Sequence, residues 1–173
     1  VSFKSNAKNY RDAESMAAAY LAAYFANSKI KYPLNPFKML KDEGVEFKIC
    51  NFNKLEGVYI PAQSQEDISI VGISAKRPIT RQRFTAAHEL CHHFRDADKQ
   101  VACPIGKKNA SEYFADAFAS ALLMPMGELK IKVNEYKDIN GNVSFDDILK
   151  IADYFGVSFE ACVRRIAYKI HAV

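Results

Sequence analysis

A chain of 173 residues can bury one sizeable core and is short for several domains. With 49% hydrophobic and 25% charged residues it has the balance of a soluble globular protein, which excludes a disordered or low-complexity chain. The net charge of +4 is too mild to demand nucleic acid, and no run reaches the ~18–20 apolar residues of a membrane helix.

The first predicted helix covers Asp12 to Asn27, rich in alanine and other helix formers. Its apolar part follows Lys4, Lys8 and Arg11, which gives it the outline of a signal peptide. No small-residue cleavage site follows, and an amphipathic helix is the simpler reading. Asn35-Pro36 reads as a cap and first residue of a second helix closed by Gly44. Three strands are expected: Val45 to Ile49 by alternation, then Gly57 to Ile60 and Ile68 to Ile73. The sheet is thus expected to lie wholly before residue 78.

Thr80 is read as the cap of a helix carrying residues 88 to 94, and Asp96 to Lys108, with Pro104 and Gly106, as a loop. A long helix follows from Ala110 to Leu123, ended by Met124-Pro125. Ser144 opens another helix that stops at Gly156, and Ser158 caps the last one. The four cysteines, Cys50, Cys91, Cys103 and Cys162, are widely spaced without a Cys-x-x-Cys pair. That spacing suits a reduced cytoplasmic protein better than a disulfide framework or a cysteine zinc knuckle.

The chemistry concentrates at His88-Glu89-Leu90-Cys91-His92-His93. Residues four apart on a helix share a face, so His88 and His92 can present two imidazoles to one ion. Glu89 stands beside the first of them, where it can take a proton from a metal-bound water. Two histidines are too few for a catalytic zinc, which usually has three protein ligands and a water. Glu112, on the next predicted helix, is the expected third. Asp116, one turn later, is the expected acceptor for the outer N–H of a ligating histidine. One anionic ligand leaves a Zn2+ ion with net positive charge, able to acidify its water and polarise a carbonyl. Peptide hydrolysis without a covalent intermediate is the expected reaction. His93 is expected to pack or face solvent, Cys91 to be a small buried thiol, and His171 to be exposed.

Arg83-Phe84-Thr85-x-Ala87-His88-Glu89-Leu90-x-His92, followed by Glu112-x-x-Ala115-Asp116-x-Phe118-Ala119-x-x-Leu122-Leu123-Met124-Pro125, resembles the ImmA/IrrE family of bacterial metallopeptidases. The approach Ser74 to Arg81 and the stretch Phe155-Gly156-Val157-Ser158 are also similar, so the likeness runs from about Leu34 to Ile170. The resemblance implies an α+β, zincin-like fold: a small mixed or antiparallel sheet packed on the active-site helix, with a helical C-terminal part. It implies one zinc per chain, with His88, His92 and Glu112 as ligands and Glu89 as base. It further implies a protein substrate, typically a helix-turn-helix transcriptional repressor of a mobile element or stress regulon. Two departures are Cys91, where the family commonly has glycine, and Phe114, where it often has an acidic residue.

One domain over 1–173 is expected, with an N-terminal helix (1–33), the sheet and metal-site helices (34–125) and C-terminal helices (126–173). Some relatives carry a DNA-binding domain, for which there is no room before Leu34, so no direct nucleic-acid contact and no membrane contact are expected. Ile68 and Ile70 are the expected substrate contacts, on a strand taken to be a sheet edge open to peptide addition. Tyr113, Tyr168, His171 and several arginines stay open as oxyanion partners. Two alternatives remain: a metal-binding protein that sequesters a repressor without cutting it, and a DNA-binding regulator built on the helical pair from Asp147 to Arg165.

Overall fold

Polar side chains fix where many of the helices begin. Asp12, Asn35, Asn109, Ser144 and Ser158 each accept a hydrogen bond from the backbone N–H three residues on. The computed structural model describes residues 3–98, 100–105 and 109–170. In chain order these form α1 (Phe3–Asn6), a 3-10 turn (Ala7–Asn9), α2 (Ala13–Tyr24), α3 (Pro36–Asp42), β1 (Val45–Cys50), β2 (Leu55–Ile60) and β3 (Ser69–Ser74). Then come α4 (Ile79–Arg95), β4 (Val101–Pro104), α5 (Ala110–Leu123), α6 (Met126–Tyr136), α7 (Phe145–Phe155) and α8 (Phe159–Lys169). The fold is α+β, with a mixed sheet and a helical C-terminal part.

The sheet order is β1-β3-β2-β4. β1 and β3 run parallel, with Val45 opposite Ser69, whereas β2 is antiparallel to both β3 and β4. Two expectations change here. The segment Asp96 to Lys108 is not all loop: Val101, Ala102 and Cys103 pair with Tyr59, Val58 and Gly57, so the sheet extends past α4. Pro104 is tolerated because an edge strand can spare an N–H. β3 is central and paired on both sides, so the expectation of an open edge at Ile68 and Ile70 fails. A proline at Ile70 would break the middle of the sheet before it reported on any substrate.

α4 lies against the sheet and against α5. Ala86 and Ala87 on α4, with Ala115 and Ala119 on α5, are fully buried and let the two backbones approach closely. Leu90, Phe94, Phe118 and Leu122 fill the remaining space, and Met16 and Tyr20 of α2 join them in one core. Thr80 lies inside the first turn of α4, whose cap position is Pro78. Arg83 ties the start of α4 to the C-terminal helices, donating from Nε to Gly156 O at 2.8 Å.

α8 turns its basic residues to structural use. Arg165 is buried and donates to both carboxylate oxygens of Glu14 at 2.8 and 2.9 Å, and to Met124 O at 2.7 Å. Arg164 pairs with Glu160 at 2.8 Å. Burial alone would raise the Glu14 carboxyl, but the Arg165 bonds and charge more than offset it and hold it below the ordinary range. A depressed carboxyl stabilises the fold above its unfolded value and ceases to do so as pH falls through its folded one. Glu14→Gln is expected to cost about 2–3 kcal/mol at pH 7, discounted from a fully buried pair for the partial exposure of Glu14. The gap to the parent protein is expected to close as urea unfolding is repeated at pH below ~4.

Candidate metal centre

α4 places His88 and His92 one turn apart on the side facing α5, and both are buried. The Nδ1 of His88 lies 2.9 Å from Asp116 Oδ1, and that of His92 lies 2.8 Å from Asp96 Oδ2. Ser111 Oγ donates to the same Asp96 oxygen at 3.0 Å. A carboxylate only accepts, so each Nδ1 carries a proton and each Nε2 is left free to present a lone pair. The two Nε2 atoms converge to 3.1 Å. Asn109 caps α5 by accepting from the Glu112 N–H at 3.0 Å, which fixes Glu112 in the first turn. From there its Oε2 lies 3.3 Å from His88 Nε2 and its Oε1 3.2 Å from His92 Nε2. β4 adds Cys103, whose Sγ lies 3.3 Å from His88 Nε2 and 3.7 Å from Glu112 Oε1.

These four side chains are buried, and their ligand atoms all lie within 4.8 Å of one another. Donors about 2.0–2.3 Å from a tetrahedral zinc are separated by about 3.3–3.8 Å, close to the spacing here. Lone pairs and a carboxylate brought together out of water repel unless positive charge sits among them. The side chains respond accordingly. For both histidines burial alone would lower the ring, but the carboxylates outweigh it: His88 is raised, and Asp96 and Glu112 bring His92 up to about 9. Glu112, which burial would raise, is held well below the usual range by His88 and His92. The donor set and its spacing fit a divalent cation such as Zn2+.

Glu89 is fully buried, and among the described residues its oxygens make no well-formed hydrogen bond, although the Cys103 thiol lies near enough to favour its charged form. Burial pushes its carboxyl up. Room for it comes from β2: a Cβ on Gly57 would stand 2.3 Å from Glu89 Oε1 and 2.6 Å from Thr85 Cγ2. Gly57 is also the cross-strand partner of Cys103, so the thiol and Glu89 lie on the same face of the sheet. Gly57→Ala is expected to destabilise by about 1–3 kcal/mol through overpacking. It is also expected to displace Glu89, so any hydrolysis should fall further than the melting temperature alone explains. Parallel melting and peptide-cleavage assays check this.

The structure therefore brings His88, Glu89, His92 and Glu112 together and sets Asp116 behind His88. It adds two residues that sequence reasoning missed, Cys103 as a further donor and Asp96 as the partner of His92. Ile68 and Ile70 lie outside the donor cluster. Cys91 is buried in the core and is not among the donors. His93 is buried, with Lys4 Nζ 3.1 Å from its Nε2 and Tyr59 OH 3.1 Å from its Nδ1. Burial and Lys4 push it down to about 4, so it stays neutral. Tyr113 is exposed, and Tyr168 lines a cleft of about 400 Å³ that also reaches Arg81 and Asp116. His171 lies outside the described residues.

Similarity to known proteins agrees with this geometry. A solved Mycobacterium tuberculosis transcriptional regulator matches with a TM-score of 0.55 and 14% identity, over 96% of this chain and 52% of that one. At that identity the likeness is one of fold, and the chain spans about half the length of that regulator. No curated protein matches the sequence. The family of the IrrE N-terminal-like domain, a peptidase family, matches residues 40–167. With that match covering most of its length, and a buried metal-compatible cluster inside it, the chain belongs to the IrrE N-terminal-like domain family of peptidases.

Proposed function

We propose that this protein is a zinc-dependent endopeptidase that cuts a protein substrate in the cytoplasm, most specifically a helix-turn-helix transcriptional repressor. One observation carries the reading: a fully buried carboxylate, Glu89, stands beside a convergent His88–His92–Glu112 donor set. Zinc held there by His88, His92 and Glu112 supplies a Lewis acid that acidifies water and polarises the scissile carbonyl. Asp116 and Asp96 keep the two imidazoles in the tautomer that ligates. Glu89 accepts the proton of the attacking water and delivers it to the leaving amine. β4 replaces β3 as the strand along which an extended peptide docks, because it is the sheet edge that reaches the donors.

The whole chain, residues 1–173, is proposed to act as one unit, and all four cysteines are free, as suits a reducing compartment. The test is to incubate the zinc-loaded protein with the helix-turn-helix repressors of its own cell and map fragments by mass spectrometry. Cleavage at one bond by the parent protein, absent with chelator, is expected. Repressors that all stay intact under those conditions refute the substrate assignment.

A further inference from the structure

A catalytic zinc keeps one position open for water, whereas a structural one is closed by four protein ligands. The buried donors here number four, not three. Cys103 Sγ is as close to His88 Nε2, at 3.3 Å, as Glu112 Oε2 is, also at 3.3 Å. The sulfur arrives from a different element than the other donors, an edge strand held on one side by β2. We propose that Cys103 is the fourth ligand of a resting metal centre, and that the thiolate closes the coordination position that hydrolysis needs.

The inference rests on the metal reading above and adds a state to it. On ligation the S–H bond of Cys103 is replaced by a sulfur–metal bond, and its proton is released to water, as ligand protons are when a metal binds. Two anionic ligands, Glu112 and Cys103, then cancel the charge of a divalent ion and remove the Lewis acidity that one anionic ligand leaves. Withdrawal of the sulfur reverses each change. The thiolate takes a proton back from water, and the coordination position it held is freed.

The test is made on the full chain loaded with Co2+, reading the thiolate-to-cobalt charge-transfer band. The parent protein and Cys50→Ser, a change at the partly exposed end of β1, are expected to show the band. Cys103→Ala and Cys103→Ser are expected to bind cobalt about 10–100-fold more weakly and without it. Serine preserves the size and polarity of the side chain, so cobalt retained without the band in that variant is not unfolding. Acetohydroxamate then probes the open position. It is expected to change the cobalt spectrum of Cys103→Ala at a concentration at least about tenfold below that needed for the parent protein. Parent protein that binds cobalt without the band overturns this proposal and leaves the metal reading standing. So does acetohydroxamate binding equally to both proteins. Parent protein that binds no cobalt overturns both.

Discussion

Glu89→Gln is expected to lower peptide hydrolysis by about 10²–10⁴-fold while metal content stays at the parent level. The side chain is fully buried and has only weak contact with the Cys103 thiol to lose among the described residues, so an amide of the same shape forfeits little. The change also removes a carboxyl that burial already pushes up, so the melting temperature is expected to hold or rise slightly. What the amide cannot do is accept a proton from water. Glu89→Ala is a poorer test, because the cavity it leaves beside Gly57 admits solvent and loosens the packing of α4 on β2. The measurement pairs kcat on a mapped peptide with metal analysis of the same sample. Hydrolysis at the parent rate with metal retained would refute the role of Glu89 as base. Repressor inactivation that persists in a Glu89→Gln protein unable to hydrolyse peptide would instead favour a protein that binds its partner without cutting it.

How much of this was legible in the sequence depended on how local each feature is. His88 and His92 are related by one helical turn, and Glu112 and Asp116 by another, so both pairs could be read directly. Caps at Asn35, Ser144 and Ser158 were equally readable, because a cap is a contact over three residues. β4 was not. It is four residues long, pairs with β2 alone among the described residues, and carries the proline that otherwise signals a turn. Its pairing is a long-range fact, and Cys103 was lost with it. α6 was missed because Pro125 reads as the end of α5, although a proline there equally opens the next helix.

The central place of β3 was obscured differently. Ile-Val-Gly-Ile is a nearly continuous apolar run, the pattern of a strand buried on both faces, which is at odds with an exposed edge there. Asp96 had a local signal that went unused. It lies four residues after His92, at the C-terminal end of α4, where the helix dipole disfavours an acid. A residue set against a local rule is a place to look for a compensating partner, and here that partner is the His92 ring.

Removing the metal is expected to lower the melting temperature by roughly 8–16 °C, for protein first held with ion at about a thousandfold over Kd. The argument lies in the donors. His88, His92 and Glu112 put two ring lone pairs and a carboxylate within 3.3 Å of each other in a buried space. Without a cation that arrangement holds only by taking up protons. Burial would lower the His92 ring, but Asp96 and Glu112 outweigh it and raise the ring from its ordinary 6.5 to about 9. A raised histidine stabilises the metal-free fold fully below its unfolded value, and that contribution is lost as pH climbs through its folded one. The metal-bound form moves the other way, because binding at pH 7 must first displace the ring proton and becomes easier as pH rises. The gap in melting temperature between loaded and chelated protein is therefore expected to widen from pH 6.5 to 9. Calorimetry in buffers of different ionisation enthalpy is expected to show proton release on binding. Glu112→Ala is expected to collapse the gap at every pH by removing the charge that recruits the ion. A gap that narrows with rising pH, or survives in Glu112→Ala, would mean that the ion is held elsewhere.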